Sequence, residues 1–243
     1  MAVIQIDVDG VLRNFIESFD KNVRVDFEDR VDEIILPFDS WSIHDSYPMF
    51  SGNAGLHKYM YDEKPFEIFG RAGQLPHDPV GNLNRMINLL GHKHRFQIVS
   101  QSKGKGKAAS MYWLGRHGCT ISNVHLVEDQ ADKIFGEHEV PDIIIEDSGF
   151  VVKEFLREVV DNGWVTPYGT MAYLVKPEST PLLENTGHDI PKQKHFKVVN
   201  SFKEAVDDIL EVFKDDIEVE AYEKISVLEA PTEVDKLIKE SNE

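Results

Sequence analysis

Five short apolar runs mark the chain, at Ala2–Val8, Arg95–Ser100, Asn123–Glu128, Asp142–Glu146 and Met171–Lys176. They are too short for helices, and several are dense in Val and Ile, as buried strands are. Helical patterns fall between them. Leu83–Leu90 carries apolar residues at helical spacing, Lys107–Arg116 follows a glycine-rich turn, and Phe150–Val160 keeps apolar positions at i, i+1 and i+4 until Asn162-Gly163. Ser201, with Glu204 after it, forms a capping box for a helix through Phe213. Strands alternating with helices predict an α/β fold, a Rossmann-like parallel sheet of about five strands with helices on both faces. Ligands of such sheets collect beyond the carboxyl ends of the strands. Asp7, Ser100 and Asp147 all fall there.

From Arg13 to about His92 the alternation breaks and aromatics accumulate, among them Phe15, Phe19, Trp41, Tyr47, Tyr59, Tyr61 and Phe69. This interval reads as a mostly helical insertion lying over the strand ends. Lys176–Lys197 is rich in Pro, Thr, Asn and Gly and reads as loop, and the polar end of the chain is acidic. The expected division is a sheet-and-helix core over 1–12 and 93–213, an inserted cap over 13–92, and an acidic tail over 214–243.

Composition narrows the function. Hydrophobic residues at 41% and charged residues at 28% are ordinary for a globular protein. No apolar run reaches the roughly 20 residues that span a bilayer, and Met1–Val8 lacks a basic signal-peptide start, so a cytoplasmic location is expected. The net charge of −17 opposes duplex nucleic-acid binding, which depends on Lys and Arg at phosphates, but leaves a small anionic substrate open. The single Cys119 excludes an intramolecular disulfide and a cysteine-rich zinc site, and the 10 histidines show no metal-ligand spacing.

The chemistry concentrates at Asp7-Val8-Asp9-Gly10, directly after the first strand. One carboxylate can attack phosphorus to form an aspartyl-phosphate, and a second nearby can protonate the leaving oxygen and then activate water. Gly10 allows the sharp turn that points both acids into one pocket. The same tetrapeptide also occurs as a plain strand-end turn; a calcium loop is disfavoured, since its later acidic positions are missing. Lys103, Lys105 and Lys107, interleaved with Gly104 and Gly106, read either as an anion-attracting loop before a helix or as a solvated one, without P-loop spacing.

Asp7-Val8-Asp9-Gly10-Val11-Leu12 resembles the first motif of the haloacid-dehalogenase-like superfamily, and later features follow that superfamily's order. Phe96-Gln97-Ile98-Val99-Ser100 resembles the second motif, which implies that Ser100, with Gln101 beside it, binds phosphate oxygens. Lys133 stands where the family places a lysine that neutralises nucleophile and phosphate. Ile143-Ile144-Ile145-Glu146-Asp147 resembles the fourth motif, a strand ending in acids that hold Mg²⁺. Singly, Ser100, Lys133 and the Glu146-Asp147 pair also read as a strand-terminating serine, a helix-start lysine and a surface strand end. Together they imply a Mg²⁺-dependent phosphomonoester hydrolase with Asp7 as nucleophile and Asp9 as acid and base. The metal ligands implied are Asp7, Asp9 through its carbonyl, and Asp147; Glu146 departs from the usual aspartate there.

Within the superfamily the resemblance is to the 5′(3′)-deoxyribonucleotidases, which place a helical cap between the first and second motifs. Phe15 stands where their first motif continues to a base-contacting aromatic; Tyr61-Asp62-Glu63-Lys64-Pro65-Phe66 and Trp41 resemble other parts of that cap. A nucleoside monophosphate is the substrate implied, with Phe15, Trp41 and Tyr61 as base contacts. Aromatics of an inserted domain also serve as its own core. A sugar phosphate or other small metabolite is the alternative substrate, and a catalytically weak binding protein of the same fold the alternative class.

Overall fold

A computed structural model describes residues 1–35, 43–161, 171–176 and 195–217. Its strands are β1 (Val3–Ile6), β2 (Arg13–Asn14), β3 (Gly73–Gln74), β4 (Arg95–Gln101), β5 (Val124–Val127), β6 (Ile143–Glu146), β7 (Met171–Val175) and β8 (Phe196–Val199). Its helices are α1 (Phe15–Asp26), α2 (Ile43–Ser46), α3 (Gly52–Lys58), α4 (Pro79–Leu90), α5 (Gly106–Arg116), α6 (Asp132–Phe135), α7 (Gly149–Asp161) and α8 (Phe202–Val212).

Six strands form one sheet in the order β5-β4-β1-β6-β7-β8, and every pairing is parallel. The α/β class and the parallel sheet are as the periodicity predicts. Strand β8 is an addition, in a stretch that overlaps the predicted loop. It lies at the sheet edge, where only Val199 of its residues is fully buried, so it lacks the continuous apolar run that marks a central strand. By contrast, all four residues of β6 are buried, as a strand covered on both faces requires.

Side-chain alternation sorts the core into two layers. Ile4, Ile6, Phe96, Ile98, Ile143, Ile145 and Tyr173 pack on one face with Leu83, Met86, Trp113, Phe202 and Ile209 from α4, α5 and α8. Ile144, Ala172 and Leu174 pack on the other with Ile134, Val151, Phe155 and Leu156 from α6 and α7. Gln5 and Gln97 interrupt the second face: Gln97 Nε2 donates to Gln5 Oε1 at 2.9 Å, and Gln5 Nε2 donates to the Lys133 carbonyl at 2.9 Å. This polar ladder pins the one-turn α6 to the sheet.

A separate buried cluster forms between β1 and β4 in the chain. Phe15, Ile16, Phe19 and Val23 line one side of α1 and meet Tyr47, Leu56, Tyr59, Met60, Ile68 and Phe69. Asn14 caps α1, its side chain accepting from the Glu17 amide. The short antiparallel pair β2–β3 joins the places where the chain leaves and re-enters the main sheet region. Ala109 of α5 also belongs to this cluster, which ties it to the sheet layer.

Candidate active site

The sheet order decides where a site can form. From β1 the chain builds outward through β4 and β5, then returns to the opposite side of β1 with β6. Strand β1 is therefore the switch point, and the crevice opens beyond its carboxyl end. Asp7 follows β1, its amide donating to the Ile145 carbonyl at 3.0 Å. Ser100 lies at the end of β4 and is 1% exposed; Asp147 follows β6. The loop that follows Asp7 is tight: the Leu12 and Arg13 amides both return to the Val8 carbonyl, at 2.9 and 2.8 Å. Gly10 in that loop has φ +74°, and a Cβ there would overlap the Asp147 carboxylate. Only glycine satisfies both conditions.

Lys133 Nζ sits 2.9 Å from Asp7 Oδ2 and 2.5 Å from Glu146 Oε1, with all three side chains nearly removed from solvent. Burial disfavours the lysine charge, but Asp7, Glu146 and Asp147 outweigh it and hold its pKa above the usual lysine value. Glu146 is pushed up to about 7, by burial and then by Asp7, against the pull of Lys133. Asp147 is raised as well, by burial and by the charges of Glu146 and Asp7. A cluster with this excess of negative charge favours a further cation.

Asp9 is held differently. Arg13 Nε and Nη2 donate to its two oxygens at 2.7 and 2.8 Å, a fork on one carboxylate. Burial raises the Asp9 pKa, and the Arg13 charge and hydrogen bonds work against that rise.

Asp7, Asp9, Phe15, Tyr61, Ser100, Gln101, Lys133 and Asp147 border a single cavity of about 400 Å³. Two π-helical turns, Tyr59–Glu63 and Phe66–Gly70, bring Tyr61 and Phe69 to its wall, where their rings stack at 5.2 Å between centroids. Phe69 also stacks on Phe15, at 6.1 Å. Ile43, Leu56 and Met60 extend this apolar roof, and Asn53 and His57 add polar groups to it. Trp41 lies outside the described residues. The other aromatics of this region do build a core: Phe19 packs edge-on against Tyr47 at 4.8 Å, and Phe27 against Phe50 at 5.3 Å. The lysine loop does not border the cavity; Lys107 pairs with Glu128 at 3.0 Å and Lys105 donates to the Asp62 carbonyl at 3.1 Å.

No family model and no curated protein matches the sequence. Solved structures do match. A haloacid dehalogenase-like hydrolase from Burkholderia xenovorans LB400 aligns over 87% of this chain and 97% of its own, at 11% identity and a TM-score of 0.50. A haloacid dehalogenase-like family hydrolase from Xanthomonas campestris aligns over 89% and 97%, at 8% identity and a TM-score of 0.50. The chain has the haloacid dehalogenase-like fold.

On that fold, the donor set at the switch point suits a hard divalent ion. Asp7, Glu146 and Asp147 each offer an oxygen within 4.8 Å of the others. Asp7 Oδ1 is buried with no hydrogen-bond partner, so a ligand position is open on it. Glu146 is less free. Its Oε1 accepts from Lys133, and its Oε2 accepts from the Asp147 and Ser148 amides at 3.0 and 3.1 Å. It does not border the cavity. The longer glutamate thus orients the lysine and the turn, leaving Asp7 and Asp147 to face the cavity.

Several residues of this site were not singled out in the sequence. Arg13, Asn53, His57, Gln130 and Phe150 reach it through tertiary folding alone. Of these only Arg13 had a local cue, since i and i+4 carboxylate and guanidinium can meet across a tight turn.

Proposed function

We propose that this chain is a Mg²⁺-dependent phosphomonoester hydrolase that works through an aspartyl-phosphate on Asp7 and acts on (deoxy)nucleoside monophosphates. The observation that carries the proposal is Asp7 itself: one oxygen held by Lys133 at 2.9 Å, the other buried and unpartnered beside the cavity. A buried acceptor without a partner is costly unless a ligand completes it.

In the first step one Asp7 oxygen attacks phosphorus while the bond to the ester oxygen breaks and Asp9 gives that oxygen a proton. In the second step Asp9 takes a proton from water, whose oxygen displaces the Asp7 carboxylate. Lys133, kept charged by its acidic neighbours, balances the transferring phosphoryl group, and the Ser100 hydroxyl and Gln101 amide hold its oxygens. Bound Mg²⁺ supplies Lewis-acid charge neutralisation, with Asp7, the Asp9 carbonyl and Asp147 as its protein ligands.

The substrate reading rests on the contrast within the cavity. Its floor is charged, while Phe15, Tyr61 and Phe69 give the roof aromatic faces. A planar base joined to a phosphate uses both, with stacking worth about 1–3 kcal/mol per ring. A bare sugar phosphate brings no flat aromatic face to that roof. Phosphate release from a panel of esters tests both levels. Expected is Mg²⁺-dependent turnover that favours nucleoside monophosphates over sugar phosphates and falls at least about 10³-fold in Asp7→Asn. No turnover of any ester removes the hydrolase; equal rates on both classes remove only the nucleotide.

A further inference from the structure

Arg13 is fully shielded from solvent, and the chemistry above gives it no task. A buried guanidinium persists only where its charge and N–H groups are matched. Here they are. Its Nε and Nη2 fork onto the two oxygens of Asp9, Nη2 also donates to Ser110 Oγ at 3.1 Å, and Nη1 donates to the Phe69 carbonyl at 3.2 Å. The guanidinium carbon lies 5.0 Å from the Phe69 ring centre and 5.5 Å from that of Trp113. Its backbone lies in β2, which pairs with β3 where the chain leaves and re-enters the sheet region. One side chain therefore joins Asp9, helix α5 and the aromatic roof.

We propose that Arg13 is the positioning residue for proton transfer by Asp9. This rests on the hydrolase reading above and deepens it. Asp9 follows β1 on a loop, where nothing in the strand ladder fixes its carboxylate plane. The planar fork does so, using one lone pair of each oxygen and leaving the others for a proton in transit. In the first step the proton on Asp9 passes to the bridging ester oxygen as that oxygen receives the electron pair of the breaking P–O bond. In the second, the Asp9 carboxylate receives a proton from the attacking water. Both transfers need an Asp9 oxygen at hydrogen-bond reach of the reacting atom. Because Ser110 and Phe69 hold the other edge of the guanidinium, the orientation of Asp9 is set jointly by the sheet layer and the roof.

Leaving-group dependence tests this, since an aryl phosphate departs without a proton and an alkyl phosphate does not. Wild type, Arg13→Lys, Ser110→Ala and Asp9→Asn are compared for kcat and KM on 4-nitrophenyl phosphate and ethyl phosphate, with Mg²⁺ present. Arg13→Lys keeps the charge and loses the fork. Its expected kcat falls about 10²-fold on the alkyl ester and less than about tenfold on the aryl ester, with KM nearly unchanged. Ser110→Ala, a milder change should Arg13→Lys fold poorly, shifts the same ratio in the same direction by a smaller factor. In the Asp9→Asn background, Arg13→Lys adds no further selectivity. Equal losses on the two esters from both variants overturn the positioning role while leaving the hydrolase intact. A wild type inert toward these two esters and toward nucleoside monophosphates overturns the hydrolase and this role with it.

Discussion

At the floor of the cavity, Lys133 meets Asp7 and Glu146 with all three side chains at 2–4% exposure. In the roof, Tyr47 and Tyr59 bury their rings while their hydroxyls reach Asp20 and Asp26, each at 2.8 Å, on carboxylates partly open to water. The floor holds buried charges whose partners depend on one another; the roof holds apolar area with polar groups at its rim. Removing one member of the floor strands the others in a poor solvent for ions. Removing one polar group of the roof leaves a partner that water can reach. Substitutions in the two regions should therefore differ in size and in kind.

Lys133→Met is the sharpest test of that difference. It leaves Asp7, Glu146 and Asp147 with no lysine among them, and the expected cost is about 3–5 kcal/mol in urea unfolding, with phosphate release lost. Tyr47→Phe, in the roof, removes one hydrogen bond to Asp20 and should cost about 1 kcal/mol with turnover retained. Equal stability losses would break the contrast.

The floor was also the more legible region. Asp7, Ser100 and Asp147 belong to short motifs placed by strand ends, and a strand end has one geometric meaning in a parallel sheet. Gly10 likewise announces a turn from its residue type alone. The roof gives no such local code. Periodicity does not separate Phe15, Phe19 and Tyr59; only the resemblance after the first motif singled out Phe15, the one of the three that borders the cavity, because which side of a small cluster faces inward is a tertiary fact. Phe150, at the start of α7, falls in a helix pattern read for its buried side and is instead 56% exposed at the cavity. The Glu146 departure was visible, but its two oxygens are occupied by Lys133 and by the turn at Asp147 and Ser148 closing back on it, which is a tertiary arrangement.

Two glycines of similar backbone extend the comparison. Gly10 has φ +74° with the Asp147 carboxylate against it, while Gly52, the first residue of the roof helix α3, has φ +67° and nothing within 4 Å of a would-be Cβ. Alanine at either position bears the left-handed penalty of about 1–2 kcal/mol. Gly10→Ala must in addition move Asp147, so Mg²⁺ affinity by calorimetric titration should fall at least about tenfold, as losses at metal-supporting residues do. Gly52→Ala should melt lower with Mg²⁺ affinity intact. Unchanged affinity in Gly10→Ala would remove Asp147 from the metal site.

Acidity separates the regions by sign. Burial and Asp7 raise Glu146 to about 7, and burial with Glu146 and Asp7 raises Asp147. A raised acid binds protons more tightly folded than unfolded, so its stabilisation is complete below its ordinary value near 4.5 and is lost as pH climbs through about 7. In Asp26 of the roof, hydrogen bonds from Lys64 and Tyr59 outweigh burial and lower the pKa, so its contribution is present above 3.8 and lost in acid. Metal-free protein should thus lose melting temperature between pH 4.5 and 7, with Mg²⁺ restoring more at pH 7 than at pH 5. A flat profile across that window without metal would show that the floor acids carry no strain.

The smallest effect is expected at Phe150, which belongs to helix α7 rather than to the aromatic cluster of the roof, yet lines the same cavity. Being 56% exposed, it contributes little to folding, and Phe150→Ala should stay within about 0.5 kcal/mol of wild type. If a bound base lies against it, the lost ring face should raise KM for a nucleoside monophosphate about fivefold, the equivalent of about 1 kcal/mol of stacking. The KM for ethyl phosphate, which has no ring to stack, should not move, and kcat on either ester should hold because the floor is untouched. A shift of both KM values by the same factor would mean that Phe150 shapes the mouth of the cavity without touching the leaving group. The aromatic contribution would then come from Phe15, Tyr61 and Phe69 alone.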